Sequence, residues 1–66
     1  MSSAMTQIVE AYVKLKDRPA LEQLQAHRRK LIGTLQALSG PFDAANPIRQ
    51  NQDELAIIEA GLSRLG

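Results

Sequence analysis

Two stretches of this 66-residue chain carry heptad seams that match each other in reverse order. The first is Leu21, Leu24, Arg28, Leu31, Leu35 and Leu38; the second is Ile48, Asn51, Leu55, Ile58, Leu62 and Leu65. Spacings alternate between three and four residues. That rhythm puts each set on one face of a helix and is the a/d pattern of helices packed side by side. The sets pair at a constant total of 86, from Leu21 with Leu65 to Leu38 with Ile48. A constant total is the arithmetic of an antiparallel hairpin, since one number rises as the other falls. The pattern predicts an all-α fold in a single domain, with a short N-terminal helix followed by a long, coiled-coil-like antiparallel helical hairpin.

Local signals place helices at about residues 3–16, 19–38 and 47–65. Ser3 or Thr6 supplies an N-cap oxygen for the first. Asp17-Arg18-Pro19 separates the first two: proline disfavours helix in the residue before it but suits a helical first turn, and Asp17 is a cap for that turn. The joint is so short that the two helices are expected to meet at an angle or as a kinked rod rather than as a tight antiparallel return. Leu15 to Leu21 is six residues where an unbroken seam needs seven, which supports a break. Ser39-Gly40-Pro41 ends the second helix, with Phe42 expected to plug the closed end of the hairpin. Asn46 as cap and Pro47 at the first helical position open the third.

A chain this short buries a modest core, and small scaffolds commonly rely on disulfides, a metal or association. There is no cysteine and only one histidine, His27, so neither a disulfide nor a structural metal site is expected, and no cofactor. Association remains. The prediction is therefore an oligomeric bundle, or a hairpin docked on a larger protein assembly.

Surplus apolar residues identify the candidate partner surface. Met5, Ile8, Tyr12 and Leu15 form a stripe that Val9 and Val13 widen, too broad for a single contact. Ile32 and Ile57 lie off the hairpin seam, and Ala56, Ala60 and Gly61 give the third helix a second surface of small residues. Gly33, on the outer face, and Gly61 are each read either as neutral or as sites of close helix approach.

Two seam positions are polar. Arg28 faces Ile58, and its guanidinium is expected to leave the seam for Glu54 or Glu59, because an unpaired charge there is costly. Asn51, opposite Leu35, marks either a loosened seam end or a determinant of register and copy number.

Net charge is +1, but residues 1–40 carry six Lys/Arg against three Asp/Glu, and residues 41–66 two against four. Lys14, Lys16, Arg18, Arg29 and Lys30 are candidate phosphate contacts for an alternative role as a small nucleic-acid-binding regulator. No aromatic residues interleave them for base stacking, which makes that signal weak. No histidine, carboxylate or glycine pattern matches a catalytic or nucleotide-binding motif. No stretch approaches the roughly 20 apolar residues of a membrane span, and no secretory leader is recognisable. The expected protein is noncatalytic: a helical interaction module, scaffold or assembly component, cytoplasmic or within a phage-like particle, of a kind suited to bacterial or phage assemblies.

Overall fold

Asp17 and Lys16 set the first corner of the structure. In the computed structural model, which describes residues 4–38 and 45–66, three helices follow in order: α1 (Ala4–Leu15), α2 (Arg18–Ala37) and α3 (Ala45–Leu65). Helix α1 ends in a Schellman arrangement. The Asp17 amide donates to the Tyr12 carbonyl at 2.9 Å and the Lys16 amide to Val13 at 3.0 Å, which satisfies carbonyls that a helix end leaves free. Lys16 takes the left-handed conformation this motif requires, with φ 55°. Asp17 then caps α2, its Oδ1 accepting from the Ala20 amide at 3.2 Å. Pro19 lies in the first turn of α2, where no backbone donor is lost. Two residues thus close one helix and open the next.

Helices α2 and α3 pack as the antiparallel hairpin. Leu24 and Leu62 both pack against one apolar cluster. Gln25 donates to Glu59 at 3.2 Å and Arg28 to Glu54 at 3.1 Å, contacts whose numbers keep the total close to 86. The start of α3 differs from expectation: the helix already includes Ala45 and Asn46. Asn46 is therefore a first-turn residue rather than the cap, and Pro47 sits third in the helix, still within the turn whose amides need no intrahelical acceptor. The Ser3 cap, the Ser39-Gly40-Pro41 stop and the Phe42 plug lie outside the described residues.

The kinked rod expected for α1 and α2 is not what forms. Met5, near the start of α1, shares a buried cluster with Ile58, whereas Val13, near its end, borders a cleft with Arg64 and Leu65. Helix α1 consequently runs in the same sense as α3 and lies back over the open end of the hairpin. The reversal is possible within two residues because left-handed Lys16 turns the chain sharply. The core sits under this overlap: Met5, Val9, Leu21 and Ile58 are buried, with Leu21 and Ile58 inaccessible to solvent. Complete burial of a leucine or isoleucine contributes about 1.5–3 kcal/mol.

A candidate interaction surface

Gly61 permits the close approach of α1 to α3. A Cβ at this position would overlap Val9 Cγ1 and crowd Val13 Cγ2 at 3.3 Å, with Leu21 Cδ1 at 3.9 Å. Only a glycine lets the two valines sit against the α3 backbone. Gly33 is different: a Cβ there would meet nothing within 4 Å. An Arg64–Glu10 ion pair, on exposed side chains, flanks the α1–α3 contact.

This docking divides the predicted partner surface. Met5 and Val9 are buried, and Tyr12, Val13 and Ile57 pack around them. Those five side chains serve the intramolecular core. Ile32 is half-buried on α2. Ile8 and Leu15 remain outward, 43% and 72% exposed. With Ala4 and Ala11, also exposed, they form a stripe spaced four, three and four residues apart. These residues fall within about 60° of one another around the helix. Apolar spacing alone runs this stripe together with the inward one. Helical angle alone separates them, by setting Ala4 and Ala11 with Ile8 and Leu15, and Met5 with Val9, Tyr12 and Val13.

Along the hairpin seam, burial falls from the open end towards the loop. Leu21 and Ile58 are fully covered, and Leu24, Leu62 and Leu65 pack against the cluster to which they belong. Leu31, Leu35, Ile48, Asn51 and Leu55 are half-buried, and Leu38 is 51% exposed. Arg28 is half-buried, and its Nε donates to Glu54. Its Nη1 also lies 2.7 Å from Nδ1 of His27. Asn51 turns to its own helix, where Nδ2 donates to the Pro47 carbonyl at 2.8 Å. It does not reach across to α2, so it reinforces the first turns of α3.

The candidate phosphate contacts do not form one stripe. Arg29 is paired with Glu59 at 2.9 Å, and Glu59 also accepts from Gln25. Lys14 and Lys30 are exposed on different helices. Lys16 and Arg18 border the open cleft beside Val13, Arg64 and Leu65. Among the described residues no group of three or more His, Cys, Asp and Glu is placed to hold a metal ion, and no helix is long and apolar enough to cross a membrane. The chain matches no family model, and neither a curated protein nor a solved structure is significantly similar to it.

Proposed function

We propose that this protein is a noncatalytic helical module that acts by packing its exposed apolar helix face against another helix, in a homo-oligomer or a larger protein assembly. The observation that carries this reading is the α1 stripe, where Ile8 and Leu15 stand in solvent although the same helix buries Met5 and Val9. Contiguous exposed apolar surface favours protein contact. The hairpin flanks are closed by contrast: Arg28, Arg29, Glu54 and Glu59 are engaged with one another across α2 and α3. The pairing of Arg29 with Glu59 also weakens the nucleic-acid reading, since a phosphate would have to displace a carboxylate. A structural or assembly role in a cytoplasmic or phage-like setting suits such a module.

Sedimentation equilibrium from micromolar to millimolar protein tests the reading, alongside anisotropy of a labelled duplex DNA at physiological salt. The expected result is a mass that rises with concentration, falls back to monomer in Leu15→Asp with helicity retained, and is accompanied by no DNA binding. A constant monomer mass together with salt-sensitive DNA binding that Lys16→Ala/Arg18→Ala removes would overturn it.

A further inference from the structure

The exposed stripe of α1 is complementary to itself. Its order is small, large, small, large: Ala4, Ile8, Ala11, Leu15. We infer that it is a two-fold interface for a second copy of this chain, in which two α1 helices pack antiparallel; this rests on the helix-docking reading above and names its partner and geometry. About a two-fold axis, Ala4 of one copy faces Leu15 of the other, and Ile8 faces Ala11. Every large side chain then meets a small one, which lets the helices approach closely and interdigitate. A parallel pair would set Ile8 on Ile8 and Leu15 on Leu15, leaving gaps at both alanine levels.

Charge agrees with the antiparallel arrangement. Gln7 and Lys14, both exposed, flank the stripe on one side. The two-fold sets Lys14 beside the Gln7 carbonyl of the other copy rather than beside another lysine. It also lays the partly positive start of each helix along the partly negative end of its neighbour, which is favourable. The flank on the other side is Met5 and Tyr12, already committed to the core, so the pair can form without disturbing either fold.

Area sets the strength. Two 12-residue helices overlap for about 18 Å. Such a contact buries a few hundred Å² per copy, roughly half of the 800 Å² per partner in a standard interface. An interface of this size is at the weak end of specific contacts, so the dimer responds to local concentration. On an assembly that gathers many copies it would form readily.

The chain has no cysteine, so introduced thiols report the geometry directly. Ala4→Cys and Leu15→Cys chains are mixed at millimolar concentration and oxidised, and the linked species are counted by mass spectrometry. Antiparallel pairing predicts the 4–15 heterodimer in about tenfold excess over either homodimer, because a disulfide spans less than about 7 Å between Cα atoms. The two Ala4 positions would be offset by about 16 Å. In a companion pair of variants, Ala11→Leu weakens the dimer about tenfold by meeting Ile8 of the other copy, and adding Ile8→Ala to the same chain restores it. Circular dichroism should show unchanged helicity, since both positions are exposed. An excess of 4–4 and 15–15 links, or a statistical mixture, overturns the antiparallel interface while leaving helix docking intact. A chain that is monomeric at every concentration overturns self-pairing altogether, whereas docking on a different protein falls only if salt-sensitive DNA binding appears as well.

Discussion

The open end of the hairpin and its loop-proximal half are built from the same helices with the same seam, yet they are packed differently. At the open end a third helix covers the seam, and Leu21 and Ile58 lose all contact with solvent. Towards the loop, among the described residues, α2 and α3 pack without a third helix, and Leu31, Leu35 and Leu55 stay half-buried. A two-helix layer can bury one edge of each seam residue; a third helix is needed to close the other. The cohesion of this molecule is thus concentrated where α1 lies, and the distal arm relies on its half-covered seam together with the Arg28–Glu54 pair.

Leu21→Ala breaks this contrast most sharply. Removing a fully enclosed leucine is expected to cost about 2–5 kcal/mol, whereas Leu35→Ala in the distal arm should cost less than half as much. Urea denaturation followed by circular dichroism compares them, and equal losses would mean that the two halves are equally tight. Next in size is Gly61→Ala, which drives a methyl into Val9 and is expected to lose about 1–3 kcal/mol. Hydrogen exchange should locate the damage in α1, leaving the distal amides of α2 and α3 protected. Asp17→Ala removes the cap of α2 and should cost about 1 kcal/mol, seen as a lower midpoint in the same denaturation experiment. The smallest effect has the opposite sign. Gly33→Ala adds a methyl into open space and should stabilise by up to about 1 kcal/mol through helix propensity, a rise in melting temperature that an unseen neighbour at that face would prevent.

The hairpin was legible because a heptad repeat is a statement about one helical face, and two such faces in reverse order leave a single mutual arrangement. Asp17 was legible for a similar reason: an acid two residues before proline at the head of an apolar repeat has a local job. The orientation of α1 was not legible. Its apolar residues span more than half the helix circumference, so the sequence alone does not say whether Met5 and Val9 or Ile8 and Leu15 turn inward. Gly33 and Gly61 look alike in sequence as well. Their difference lies in the valines that arrive from α1, far away along the chain. Arg28 could be assigned to either Glu54 or Glu59 because both lie within its reach; Arg29 and Gln25, by engaging Glu59, leave Glu54 to Arg28.

The elbow at Lys16 and Asp17 has no slack. One residue there adopts the left-handed conformation and the other caps α2, so both have fixed duties. Inserting or deleting a single residue at that point would spin α1 by about 100° about its own axis. In one of the two senses, Ala4, Ile8, Ala11 and Leu15 would swing towards the hairpin while Met5 and Val9 were carried into water. The length of this spacer therefore acts as a selector that decides which side of one helix is kept and which is offered outward.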